Sequence, residues 1–114
     1  MKRILLLEDD PVARMIAEDV LRAAGYQVDI AERLATAHRL LATRLYDLVI
    51  ADFVLDDGNG VDVADAAATR GLKSLVVSGH EAALEAARLR HEVLAKPFDP
   101  ADLLAAARRL LGDV

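Results

Sequence analysis

The sequence contains no cysteine and no tryptophan, and only two tyrosines and two phenylalanines among its 114 residues. Without cysteine there is no disulfide framework, no thiolate metal site and no thiol nucleophile. That absence fits a reducing compartment. So few aromatics leave little for a base-stacking surface. The net charge of −5 argues against a general nucleic-acid binder, because backbone phosphates select basic surfaces. No apolar run approaches the roughly 20 residues that cross a bilayer. The first run, Ile4-Leu5-Leu6-Leu7, is closed by Glu8, too early for the core of a secretory leader. No Gly-rich turn follows that run, which removes a dinucleotide-binding reading. Repeats, linkers and low-complexity tracts are also missing. The expectation is a soluble, cytoplasmic, single domain over residues 1–114, long enough to bury a core without disulfides or metals.

What the chain does have is alternation. Short apolar runs are separated by longer amphipathic ones. Strand one is expected over Lys2–Leu7. Asp10 and Pro11 then suit the cap and first turn of a helix. Val12, Ile16, Val20 and Leu21 recur at helical spacing, and Gly25 stops that helix. Tyr26–Ala31 reads as an edge strand. A second helix runs from Leu34 to near Arg44. Leu48–Asp52 is a continuous apolar run ending in an acid, the pattern of a strand buried on both faces. A loop over Val54–Gly60 leads to a helix over Val61–Thr69, stopped by Gly71. Leu75–Val77 is strand four and closes with Ser78-Gly79. An Ala-rich helix spans Glu81 to Leu89. Val93–Ala95 is strand five, followed by Lys96-Pro97-Phe98. Asp99 caps a last helix, Pro100 to Leu111, ended by Gly112. Five strands alternating strictly with five helices imply a parallel sheet with right-handed crossovers and helices on both faces.

In a parallel sheet the carboxyl ends of all strands lie on one edge, where open α/β sheets bind ligands. That edge collects Glu8, Asp9 and Asp10, then Asp52, Ser78 and Lys96. Carboxylates gathered in one pocket repel each other, and a hard cation such as Mg²⁺ offsets the repulsion. A carboxylate can also attack phosphorus and carry an acyl phosphate. A lysine ammonium and a serine hydroxyl suit the incoming phosphoryl oxygens. The set reads as Mg²⁺-assisted phosphoryl transfer to Asp52.

The stretches Ile4-Leu5-Leu6-Leu7-Glu8-Asp9-Asp10-Pro11, Asp47-Leu48-Val49-Ile50-Ala51-Asp52 with Gly60 downstream, Val76-Val77-Ser78-Gly79 and Ala95-Lys96-Pro97-Phe98 resemble the receiver domain of two-component response regulators. The resemblance covers essentially the whole chain. It implies a flavodoxin-like, doubly wound sheet of order 2-1-3-4-5. It also implies a phosphoprotein with Asp52 as acceptor from a sensor histidine kinase or a phosphotransfer protein. By the same resemblance Asp9 ligates Mg²⁺ directly, Glu8 mainly through water, and the Val54 carbonyl adds a ligand. Ser78 binds a phosphoryl oxygen, and Lys96 pairs with the phosphate. Asp10 falls outside the usual acid pair and reads as a helix cap. The Lys96-Pro97 bond is often cis in the family, which would aim the ammonium into the site.

The chain departs from the family at several points. A Tyr or Phe usually precedes the lysine by three residues, where this chain has Val93. A valine has little room for the ring swing that couples phosphorylation to output. Gly79 is then a candidate hinge. The hydroxyl-Gly pair without the aromatic resembles receivers paired with atypical histidine kinases. Asp56 stands where the family often has proline. Asp56 and Asp57 read as solvated turn residues. His80 reads as an exposed helix-start residue, with a role in tuning hydrolysis of the aspartyl phosphate as the functional alternative. His38 and His91 read as ordinary surface residues, and no zinc spacing is present.

The expectation is a stand-alone receiver with no output domain. It is a switch or relay carrier, and its own phosphoryl chemistry does not make it an enzyme. The alternatives are a Mg²⁺-dependent phosphatase with Asp52 as nucleophile, or a phosphorylation-independent docking module. Such phosphatases place a second acid two residues after the nucleophile, where this chain has Val54. The partner surface is expected on the first helix at Val12, Ala13 and Ile16. Helix four, strand five and helix five are left for an output partner or a dimer. The chain is expected to be a monomer or weak homodimer, with no direct nucleic-acid or membrane contact.

Overall fold

A computed structural model describes residues 1–113. The strands are β1 Arg3–Leu7, β2 Gln27–Ala31, β3 Leu48–Asp52, β4 Lys73–Ser78 and β5 Glu92–Ala95. The helices are α1 Pro11–Ala23, α2 Leu34–Thr43, α3 Val61–Thr69, α4 Glu81–Arg88 and α5 Pro100–Leu111. The five strands form one parallel sheet in the order β2-β1-β3-β4-β5. The alternation is the one the residue pattern predicts, and the order is the one the resemblance implies.

Alternation along each strand divides the core in two. Ile4, Leu6, Leu48, Ile50, Leu75 and Val77 face Ala17 and Leu21 of α1 and Leu103, Ala106 and Ala107 of α5. Leu5, Leu7, Val49 and Ala51 face Ala37 and Leu41 of α2 and Val63 and Ala67 of α3. Every residue of β3 is buried, as befits a central parallel strand covered on both faces. Fully burying one leucine of this kind contributes about 1.5–3 kcal/mol. Both layers therefore hold the strand ends in fixed register.

Local signals set the helix boundaries. The Asp10 carboxylate accepts the Ala13 N–H at 2.9 Å, and Pro11 opens α1. Gly25 leaves α1 with φ +97°, a conformation glycine tolerates. Pro100 opens α5, where Asp102 accepts the Asp99 N–H at 3.4 Å.

Several boundaries differ from the expectation, and β1 begins one residue later, at Arg3. Tyr26 stands before β2, because its N–H donates to Leu21 O and closes the turn after α1. β4 begins earlier, at Lys73, and β5 at Glu92, since backbone pairing extends past the apolar runs. The loop after β3 contains a small antiparallel ladder, Val54–Leu55 against Gly58–Asn59. Nothing in the local residue pattern marks that ladder as distinct from a plain loop. Among the described residues, no helix is long and apolar enough to cross a membrane.

Candidate functional site

Register places the site. Leu7 is level with Ala51, Asp52 with Val77, and Ser78 with Ala95. The residues that end these strands therefore share one edge. One oxygen from each of Glu8, Asp9 and Asp52 lies within 4.8 Å of the others. Glu8 and Asp52 are only 6% and 9% exposed. The Lys96 ammonium donates to Glu8 Oε1 at 2.8 Å and lies 3.4 Å from Asp52 Oδ2. Ser78 is buried, and its Oγ accepts the His80 N–H at 3.0 Å. The Lys96-Pro97 bond is cis, and Lys96 N–H donates to Ser78 O at 2.8 Å.

The electrostatics follow from crowding. Burial, reinforced by the contact with Glu8 and its charge, pushes the Asp52 carboxyl up to about 7, although Lys96 pulls the other way. Burial opposes the Lys96 charge, but Glu8 and Asp52 outweigh it and hold the ammonium above its ordinary range. Two acids thus compete for one cation. The donor set consists of hard carboxylate oxygens, and its internal repulsion is only partly relieved by Lys96. It suits a hard divalent cation.

Gly60 is built into the site from below. A Cβ there would lie 1.8 Å from the Asp52 carbonyl oxygen. Its own φ is −64°, so space rather than backbone conformation requires glycine. Gly79 is different. A Cβ there would meet nothing closer than the Lys96 Cβ at 3.8 Å, and nothing in its surroundings demands glycine.

Asp10 serves as the helix cap. His80 and His38 are exposed, as expected. Val93 sits half-buried against Ala64, Val76 and Ala87 in a small third cluster, with no ring to swing. His91 is a correction. Its side chain is 3% exposed rather than a surface group. Nδ1 lies 3.0 Å from Ser74 Oγ, and Nε2 lies 2.7 Å from Asp65 Oδ1. Two partners far apart in sequence draw the imidazole inward. Asp56 and Asp57 are exposed, but they are not plain solvated turn residues. Asp56 N–H donates to Asp9 Oδ2 at 3.2 Å, and the Asp57 carboxylate accepts the Leu34 N–H.

Residues 4–108 match the family model of the response regulator receiver domain. The probable transcriptional regulatory protein SilR of Salmonella typhimurium is 36% identical over 96% of this chain and 50% of its own length. The response regulator receiver protein CpdR of Brucella abortus is 32% identical over 97% of this chain and 98% of its own length. The chain spans about half or less of several other curated relatives. The crystal structure of response regulator protein TrrA from Thermotoga maritima, in complex with Mg²⁺-BeF, superposes with a TM-score of 0.87. It is 26% identical and covers 96% of this chain and 99% of that one. The family model over residues 4–108 and the similarity to CpdR along nearly its whole length show that the chain belongs to the response regulator receiver domain family.

Proposed function

We propose that Asp52 accepts a phosphoryl group from a phosphohistidine of a sensor kinase or phosphotransfer protein. The observation that carries this reading is the meeting of three strand-end acids within 4.8 Å, beside Lys96 and the buried Ser78. An Asp52 Oδ attacks phosphorus, the P–N bond breaks, and its electron pair returns to the donor imidazole. Glu8, Asp9, Asp52 and the Val54 carbonyl are the groups to hold Mg²⁺. When bound, Mg²⁺ supplies positive charge that favours the ionised Asp52 and neutralises phosphoryl oxygens.

The chain's own residues do the rest. Ser78 Oγ already accepts the His80 N–H, so its proton is available to a phosphoryl oxygen. Lys96 is placed to exchange Glu8 and Asp52 for the new dianion. The residue two beyond Asp52 is Val54, half-exposed and apolar, where an aspartate phosphatase needs an acid. The reading is therefore a cytoplasmic carrier or switch, either standing alone or part of a larger regulator.

The face for the donor is α1. Val12, Met15 and Ile16 are exposed there. Ile16 also lines a groove of about 490 Å³ with Ala13, Gly79, Lys96, Pro97 and Phe98. An apolar helix laid in that groove brings its histidine to Asp52. The α4, β5 and α5 face is left for an output partner or a weak homodimer.

The test is intact-protein mass after incubation with Mg²⁺ and acetyl phosphate, beside Asp52→Asn. One added phosphoryl group in the wild type alone supports the reading. Equal addition to both proteins, or none in the presence of demonstrated Mg²⁺ binding and a kinase, overturns it.

A further inference from the structure

The loop after β3 is clamped to α2. The N-cap residue of α2, Arg33, makes no side-chain cap hydrogen bond. The cap comes from across the chain. Both Asp57 carboxylate oxygens accept the Leu34 N–H, at 3.0 and 3.1 Å. The neighbouring residue packs on the same spot. Gly58 has φ +146°, and a Cβ there would fall 2.5 Å from Leu34 Cδ1. On the other side of Asp57, the Asp56 N–H donates to Asp9 Oδ2 at 3.2 Å. Two residues further back lies Val54, joined to Asn59 by the small ladder.

One short segment therefore touches the start of α2 and an acid of the candidate cation site. We infer that Asp57 is a positioning residue for divalent-cation binding. Its cap on α2 fixes the loop, and the fixed loop holds Asp9 through the Asp56 N–H and keeps the Val54 carbonyl in place. The inference rests on the reading of the acidic cluster given above. A carboxylate at a helix N-terminus is favoured both by the free N–H groups and by the helix dipole. The Asp57 cap thus adds a polar seat for the loop beside the apolar one supplied by Leu55, which is buried in the core on the α2 and α3 side of the sheet. Mutating groups that orient metal ligands from behind typically costs about 10–100-fold in metal affinity. Coupling of this kind is also reciprocal. A cation held by Asp9 steadies the loop, and the steadied loop protects the cap.

The experiment is Mg²⁺ titration of the full chain by calorimetry for wild type, Asp57→Ala and Asp57→Asn, with amide hydrogen exchange at Leu34 measured with and without Mg²⁺. Asp57→Ala should weaken Mg²⁺ binding by about tenfold. Asp57→Asn keeps an oxygen that accepts the Leu34 N–H and should recover most of that loss. Mg²⁺ should slow exchange at Leu34 in the wild type and not in Asp57→Ala. A lower unfolding midpoint for Asp57→Ala with wild-type Mg²⁺ affinity overturns the inference, since the cap then serves α2 alone. Equal weakening by alanine and asparagine overturns it too, because lost charge then explains the effect. Wild type without Mg²⁺ binding overturns the reading of the acidic cluster itself, and the inference with it.

Discussion

Lys96 Nζ donates a 2.8 Å hydrogen bond to Glu8 Oε1, a closer approach than its 3.4 Å separation from Asp52 Oδ2. The ammonium is thus engaged mainly by the acid that ends β1. Asp52 receives only part of its field, while burial and Glu8 act against its charge. Burial, with the Glu8 contact and charge behind it, therefore outweighs Lys96 and pushes the carboxyl up to about 7.

A pH-dependent stability follows. An unfolded aspartate titrates near ~3.9, below the folded value for Asp52. Between those two pH values the folded chain binds the proton more strongly than the unfolded chain does. Asp52 therefore favours folding at low pH, and this contribution fades as pH rises from about 4 to about 7. Urea unfolding of wild type and Asp52→Asn across this range should show the variant gaining on the wild type, by at most about 4 kcal/mol. Lys96→Met should move the wild-type transition to higher pH. Parallel curves for wild type and Asp52→Asn would mean that Asp52 keeps an ordinary carboxyl.

The two glycines at the site should behave differently. Gly60→Ala forces a methyl group into the Asp52 carbonyl, and rigid backbone cannot give way as a flexible side chain can. A loss of about 3 kcal/mol or more is expected, with phosphorylation by acetyl phosphate impaired because Asp52 itself is displaced. Gly79→Ala has room and should stay within about 0.5 kcal/mol of wild type. Its phosphorylation should persist. A reduced partner response in that variant would support a hinge at Gly79, and an unchanged response would end that idea.

The parts of the molecule legible in the sequence are those governed by neighbours in the chain. The run Leu48–Asp52 announces its burial by composition. Asp10 announces its cap by standing next to Pro11. Glu8, Asp52, Ser78 and Lys96 come together because strict alternation forces parallel strands, and parallel strands share an edge. What escaped depends on distant partners. Asp57 caps a helix that begins 23 residues earlier, and His91 meets Asp65 across 26 residues. Neither contact has a spacing rule. Asp57 and His91 are polar, so their residue types alone suggest solvent.

His91 gives the sharpest case, and its burial makes a measurable claim. Asp65 accepts at Nε2, so that nitrogen carries a hydrogen, and the Ser74 hydroxyl serves Nδ1. Asp65 belongs to α3, Ser74 to β4, and His91 to the entry of β5. The imidazole ties three elements together at a point well removed from Lys96. Removing it leaves the buried Ser74 hydroxyl without this partner and opens a cavity. His91→Ala should therefore cost about 2–3 kcal/mol in urea unfolding. Ser74→Ala combined with it should cost less than the two single losses together, by about 1 kcal/mol. Phosphorylation of Asp52 should survive in both variants, because neither residue touches the acidic cluster. Additive losses would show that the two side chains are merely adjacent, and the hydrogen bond between them would then hold nothing in place.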